Sequence, residues 1–450
     1  MKTTSIFKII VLAGLLYSPT VQGQIITPAN NFISVDLNTP QNTSFTYDSA
    51  MVLGKNLGMS QIGLHFLWTK IETAPDTFDF TFLDIANVYY PAYNISVNLN
   101  IDPIETNHLE VPSDLISLAF DNPIVINRFK KLLDSVKVHI PSLQLSSLVI
   151  GSEVDASLGA NAALWKQYTT FYDSVSMYAK TLWPGLKVAT ELTFGGITTQ
   201  NTFAQILNTN SNYIGVSYYP LNNNYTVKPV SAIPADFSTL VGLYPSKPIC
   251  FYQFGCPSGS SCNSSQTLQA QFIAKTFTSW DTYASNIRMI DFTWLHDIDS
   301  ASVNYYSTYY GVTDTIFLEF LGTLGLRTWY GMGTDKLALD ELRCQAKQRG
   351  YNTLSITCST GINENTFSEN ILSIYPNPFF MQTTIQSDKI FNGATLTVYN
   401  LYGQQVNQIK NISGQTVALH RDNLPRGLYF IRMTQDNKTF STGKLVITDN

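Results

Sequence analysis

The chain has 450 residues, 44% of them hydrophobic, enough to bury one large core and a second, smaller one. Charged residues make up only 13%, against about a quarter in an average soluble domain, and 25 Tyr and 26 Phe exclude a disordered, solvating chain. With 27 Lys and Arg against 32 Asp and Glu and no long basic run, the chain lacks the phosphate-neutralising surface of a nucleic-acid binder.

The first residues read as a secretory signal peptide. Lys2 and Lys8 flank the start of an apolar run, Ile9–Tyr17, and the small-residue pattern Val21-Gln22-Gly23 places cleavage after Gly23. That run is far shorter than the roughly 20 residues a spanning helix needs, and no later segment is long enough. The mature chain is expected to be soluble or surface-attached.

From residue 33 to about 295, apolar strand-like runs alternate with helical stretches. Strands are expected at 33–37, 61–66, 95–101, 147–152, 186–191, 213–218, 248–253 and 288–295. Their starts are about 36 residues apart, room for a strand, a crossover helix and two loops. Helices are clearest at 122–140, 162–182 and 264–283, where apolar residues recur every three or four positions; Ile126, Phe129, Leu132 and Leu133 form one such face. Eight such units predict a (β/α)8 TIM barrel over residues 24–350. A doubly wound open sheet is the alternative, but no GxGxxG follows the first strand.

Residues 351–367 are polar with no helical period and read as a linker. From Ile371 onward seven short alternating strands, separated by Asn, Gly and Pro turns, predict a small all-β immunoglobulin-like sandwich over 368–450.

Five cysteines in an exported chain leave at least one unpaired. Cys256 and Cys262 bracket a Gly/Ser loop and are the best-placed disulfide candidates, with Cys344 and Cys358 a second pair; Cys250, in an apolar strand, reads as a buried thiol. No CxxC or HExxH occurs and the five His are scattered, so neither a metal nor another cofactor is expected.

In a TIM barrel, functional side chains project from the C-terminal ends of the strands. Here those ends carry Asp36 and Asn38; Trp68 and Glu72; Asn100 and Asp102; Ser152, Glu153 and Asp155; Glu191; Tyr218 and Tyr219; Gln253; and Trp294, His296 and Asp297. Carboxylates, amides and flat rings around one mouth suit sugar recognition, since rings stack on pyranose faces while carboxylates and amides bind hydroxyls. The candidate substrate-binding set is Trp68, Asp102, Ser152, Asp155, Tyr218, Tyr219, Trp294 and His296. For Asp102, Asp155 and His296 a structural hydrogen-bonding role is the competing reading, and for Trp294 a packed barrel position.

Two resemblances follow from motifs. Gly151-Ser152-Glu153-Val154 resembles the Gly-Asn-Glu strand-4 motif of clan A retaining glycoside hydrolases, endo-galactanases among them, and Tyr252-Gln253-Phe254-Gly255 resembles their strand-7 motif. The resemblance implies Glu153 as general acid/base and puts Gln253 where the family carries its nucleophilic Glu. Retaining hydrolysis needs a carboxylate there. Three readings follow: a barrel that binds polysaccharide or oligosaccharide without cleaving it; an active hydrolase using Glu153 with Asp155, Glu191, Asp297 or the substrate itself; and a non-catalytic structural surface protein. Near the C-terminus, Tyr375-Pro376-Asn377-Pro378, Val398-Tyr399-Asn400-Leu401-Tyr402-Gly403, Leu424-Pro425-Arg426-Gly427 and Gly443-Lys444-Leu445-Val446 resemble the type A sorting domain of the type IX secretion system. That implies a Bacteroidetes-type host, the type IX secretion machinery as partner, and a secreted or outer-membrane surface location.

Overall fold

The computed structural model describes residues 25–354, 358, 372–400, 404–435 and 438–449, so the expected signal peptide and most of the expected linker lie outside the described residues. The chain divides into two compact units at residues 356/357.

The first unit is a closed parallel barrel. Its strands are β1 (Phe32–Val35), β2 (Met59–Leu67), β3 (Ser96–Glu105), β4 (Leu145–Ser152), β5 (Lys187–Ala189 continuing past Thr190 as Glu191–Thr193), β6 (Ile214–Tyr218), β7 (Ile249–Phe254) and β8 (Ile287–Phe292). The first half of β5 pairs with β4 and the second half with β6, while β1 pairs with β8. The interruption at Thr190 thus lets one strand serve both ends of the sheet and closes the ring. Every strand predicted from the sequence has its counterpart.

Crossover helices cover the outside: α1 (Tyr47–Lys55), α2 (Thr81–Ala92), α3 (Pro123–His139), α4 (Ala162–Leu182), α5 (Asn201–Leu207), α6 (Ile233–Leu243) and α7 (Gln266–Thr282). After β8 two further helices, α8 (Ser300–Tyr310) and α9 (Thr315–Gly322), precede the last outer helix α10 (Leu337–Gln348). Local chemistry sets the ends. Asn122 caps α3 by accepting from Ile124 N, with Pro123 in the first turn; Asn161 caps α4 and Ser265 caps α7. The predicted face of α3, Ile126, Phe129, Leu132 and Leu133, is buried against the barrel.

The barrel interior is polar for a core. Successive inward positions of β3 are Asn98, Asn100 and Asp102, all buried, facing Gln61 on β2, Ser147 on β4 and Asp291 on β8. Asn98 binds Gln61 and Ser147, and Tyr252 on β7 reaches the same Ser147. Asn100 has neither amide atom hydrogen-bonded, and one carboxylate oxygen each of Asp102, Glu191 and Asp291 is also without a partner. Buried polar groups of this kind are costly to leave unmade.

The second unit is all antiparallel. β9 (Ser373–Tyr375), β10 (Gln382–Tyr399), β11 (Gln405–His420), β12 (Gly427–Gln435) and β13 (Lys438–Ile447) form one five-stranded sheet in the order β9-β10-β12-β13, with β11 on β10. Its core gathers Ile385, Leu396, Val398, Ile431, Met433 and Leu445. Seven strands were expected and five form. The predicted pairs 383–387 with 394–400, and 404–410 with 415–420, each merge into one long strand, and register shifts between Gln386 and Leu396 mark the joints.

Candidate functional site

A cavity of about 700 Å3 opens at the C-terminal end of the barrel. Of the residues singled out from sequence, Asp36, Asn38, Asp102, Ser152, Glu153, Tyr219, Gln253 and Trp294 line it. Trp68, Asp155, Tyr218 and His296 do not.

The reasons are geometric. β2 ends at Leu67, and Trp68 begins a helical turn that carries its ring outward onto Phe129, where its indole N–H donates to Glu72 Oε2 at 2.9 Å. Side chains alternate along β6, so with Ser217 inward Tyr218 points outward among Phe237, Phe251 and Phe254 and donates to Asp236. Asp155 accepts from Thr193 N and Oγ1, both at 2.7 Å. His296 is fully buried between Asn38 O and the Arg327 guanidinium, and burial pushes its pKa down to about 4. These four hold the walls.

Glu153 is set by its backbone. It lies two residues after Gly151, at φ +79°, where a Cβ would stand 2.3 Å from Tyr168 Oη, and itself adopts φ +46°. A left-handed conformation at a non-glycine residue is sparsely populated and costs about 1–3 kcal/mol. It lifts the carboxyl into the cavity, where Oε1 accepts from Ser217 Oγ at 2.5 Å and Oε2 from Thr106 Oγ1 at 2.9 Å. Burial pushes the Glu153 pKa up to about 7, against the lowering effect of the Ser217 bond, with Asp155 adding to the rise.

Gln253 stands opposite, brought into register with Ser217 by a shift in the β6–β7 ladder. Its Oε1 accepts from Tyr219 Oη at 3.0 Å, and its Nε2 donates to Ser152 Oγ at 3.1 Å and to Glu191 Oε2 at 3.5 Å. Ser152 in turn donates to Glu191 Oε2 at 3.0 Å. Glu191 is wholly buried behind this pair, and burial raises its pKa well above the usual carboxylate range, with the Glu153 charge adding.

Asp36, expected at this mouth, follows β1, and burial raises its pKa to about 7; His65 on β2 also lines the cavity, with its pKa lowered to about 4 by loss of solvation. Much of the remaining lining was not legible in the sequence. Glu105 and Thr106 come from the end of β3. The side wall is aromatic and comes from α8, whose Tyr305, Tyr306, Tyr309 and Tyr310 all face the cavity. Trp294, Tyr306 and Tyr310 stack in a column, with centroids 6.1 and 5.9 Å apart. Tyr310 Oη donates to Glu105 Oε1 at 2.8 Å and Tyr309 Oη to Glu110 Oε1 at 2.8 Å, fixing the helix on the β3 loop. The signal was present: Tyr305-Tyr306-Ser307-Thr308-Tyr309-Tyr310 places two tyrosine pairs at i, i+4 on one helical face.

The expected disulfide is absent. Cys256 and Cys262 are both buried thiols, with Sγ directed at Pro257 O and Ile316 O respectively, so the loop is held by packing and hydrogen bonds. Cys250 is the buried thiol expected.

The three carboxylates considered as substitute nucleophiles all lie off the cavity. Asp155 is bound to Thr193, Glu191 stands behind Gln253, and Asp297 is paired with Lys336 Nζ at 2.6 Å.

Residues 373–448 match the secretion system C-terminal sorting domain family. No curated protein sequence matches the chain. Among solved structures, the exo-beta-1,4-mannosidase Op5Man5 from Opitutaceae bacterium strain TAV5 is similar at 13% identity and a TM-score of 0.57, over 73% of this chain and 61% of that one. This chain therefore spans less than two thirds of the mannosidase. GH5_18 from Streptomyces cattleya is similar in its complex with Manb1-4GlcNAc at 14% identity and a TM-score of 0.55, over 72% of this chain and 82% of that one. Its GlcNAc complex gives 15% and 0.54, over 73% and 82%. Identities this low show a shared fold. No helix among the described residues is long and apolar enough to cross a membrane. The chain thus joins a TIM barrel, a fold it shares with these structures, to a type IX secretion sorting domain, and is a secreted or cell-surface protein.

Proposed function

We propose that the barrel binds a glycan at the cell surface and does not cleave it by the retaining route. The observation that carries this is Gln253. It occupies the nucleophile position of the resembled strand-7 motif, and its amide is engaged by Tyr219, Ser152 and Glu191. A neutral amide supplies neither the charge nor the oxygen that attack on an anomeric carbon needs. Glu153 alone is a competent general acid at neutral pH, but such assistance is worth only about 10²–10⁴-fold. In the binding reading Glu153 and Gln253 hold sugar hydroxyls, and the Trp294–Tyr306–Tyr310 column offers pyranose faces a platform. Support also comes from the barrel's likeness to mannosidase and GH5_18 structures, which is a likeness of fold.

A glycan array combined with a reducing-sugar assay on the full-length protein tests the proposal. Binding without turnover is the expected result. Turnover abolished by Glu153→Gln would favour an active hydrolase, with Asp36 or Asp102 then the carboxylates on the cavity wall to examine. Silence in both assays would leave the structural surface protein.

A further inference from the structure

The cavity is one-sided in charge. Asp36, Asp102, Glu105 and Glu153 line it, and no Lys or Arg does among the described residues. The one basic side chain on the wall, His65, is held neutral at pH 7 by burial, its Nδ1 4.0 Å from Asp102 Oδ2. Asp102 is 1% exposed, and its Oδ1 has no hydrogen-bond partner. Glu105 Oε2 is likewise unpartnered. Unpartnered carboxyl oxygens on two residues that line a cavity are acceptors awaiting a donor, and a charged donor satisfies them about twice as well as a neutral one. Beside them stands the electron-rich face of the Trp294–Tyr306–Tyr310 column, which also attracts cations.

Resting on the glycan-binding reading above, we infer that the ligand is a glycan carrying at least one free amino group, and that it is preferred over neutral and uronic-acid glycans. Asp102 and Glu105 line the same cavity as the aromatic column, and Glu105 lies near enough to raise the Asp102 pKa, so the pair offers an ammonium group two acceptors on one wall. A sugar carboxylate finds no Lys or Arg on the wall to pair with among the described residues, and an unpaired charge is costly to desolvate. Neutral hydroxyls fit the cavity but bring its carboxyls no charged donor.

Proton release gives a signature that shape alone would not. Facing the amine site are Asp36 from β1, His65 from β2, Asp102 and Glu105 from β3, Glu153 after β4, and Tyr309 and Tyr310 from α8; Glu191 and Asp291 lie behind, from β5 and β8. Burial raises Asp36 and Glu153 to about 7 and Asp102 well above its usual range, so the empty site holds protons at neutral pH. An incoming ammonium favours the ionised carboxylates, and protons leave to solvent as it binds.

The experiment is isothermal titration of the full-length protein with a β-1,4-glucosamine tetrasaccharide, its fully N-acetylated counterpart, mannotetraose, tetragalacturonate and spermidine, each in two buffers of different ionisation enthalpy. The amino tetrasaccharide should bind at least about tenfold tighter than its acetylated counterpart, with a buffer-dependent heat showing proton release. Tetragalacturonate should bind more weakly than the amino tetrasaccharide. Asp102→Asn and, separately, Glu105→Gln should each reduce the amino-to-acetyl ratio several-fold, with circular dichroism confirming the fold. Equal or tighter binding of the acetylated or neutral sugar would overturn the amine inference and leave glycan binding standing. Spermidine binding more tightly than any sugar would overturn it too. Failure of every glycan to bind would overturn both.

Discussion

The amide nitrogen of Gln253 lies 3.5 Å from Glu191 Oε2 and shares that oxygen with the Ser152 hydroxyl. Glu191 is wholly buried and meets no cationic group among the described hydrogen bonds; these two donors satisfy Oε2, while Oε1 has no partner. Gln253 is therefore fitted to Glu191 as well as substituted for a nucleophile. A carboxylate in its place would lose a donor and gain a like-charged neighbour.

From this follows a prediction about restoring hydrolysis. Gln253→Glu alone should give little activity on aryl β-glycosides, because the introduced carboxyl and Glu191 will share a proton, the usual outcome for two close carboxyls. Adding Glu191→Gln should raise kcat/KM by at least about 100-fold over the single variant, since the nucleophile is then free to ionise. The single variant should also unfold about 1–3 kcal/mol more easily at pH 8, from the unmade hydrogen bond. Equal activity of the single and double variants would show that Glu191 does not govern this position.

Stability should fall as pH rises from 6.5 to 8. Folded Asp36 and Glu153 have pKa values of about 7, raised by burial above the values near 4 of an unfolded chain. In this window the folded protein holds more protons than the unfolded chain, so raising the pH favours unfolding. His65 and His296, lowered to about 4, have the opposite effect, but it falls below pH 6.5, where an unfolded histidine gains its proton. The melting temperature across pH 6.5–8 measures the slope, and Asp36→Asn with Glu153→Gln should make it shallower, the remainder coming from Asp102 and Glu191, which burial also raises.

Two aromatic substitutions should separate binding from folding. Tyr306→Ala removes the middle ring of the Trp294–Tyr306–Tyr310 column and should weaken glycan binding roughly three- to tenfold, with little change in melting temperature. Trp68→Ala should lower stability by about 3–5 kcal/mol through a cavity in the core and a lost bond to Glu72. Titration and thermal melts on both variants check the contrast.

Export should depend on the second unit. A chain truncated before residue 373 lacks the whole matched sorting domain and should accumulate in the periplasm of a host bearing the type IX machinery. Cell fractionation with an antibody to the barrel reads this directly, and normal surface delivery would argue for another route.

The sequence determined the barrel, the sorting domain and the identities of Glu153 and Gln253, because strand period, turn chemistry and short motifs are local properties of the chain. Local pattern also marked the α3 face, where Phe129 and Leu132 recur at helical spacing and are buried. What it could not settle was which strand-end residues share one cavity. Trp68 and Tyr218 end strands as Trp294 and Tyr219 do, yet one helical turn and one residue of strand alternation turn them outward. The α8 wall and the Glu105 and Asp102 carboxylates meet across about 200 residues of chain, through contacts such as Tyr310 with Glu105 that no spacing rule connects. The Gln253–Glu191 pairing belongs to the same class. It depends on a register shift between β6 and β7 and on the closure of the ring at Thr190, and both are properties of strands brought together from distant parts of the chain.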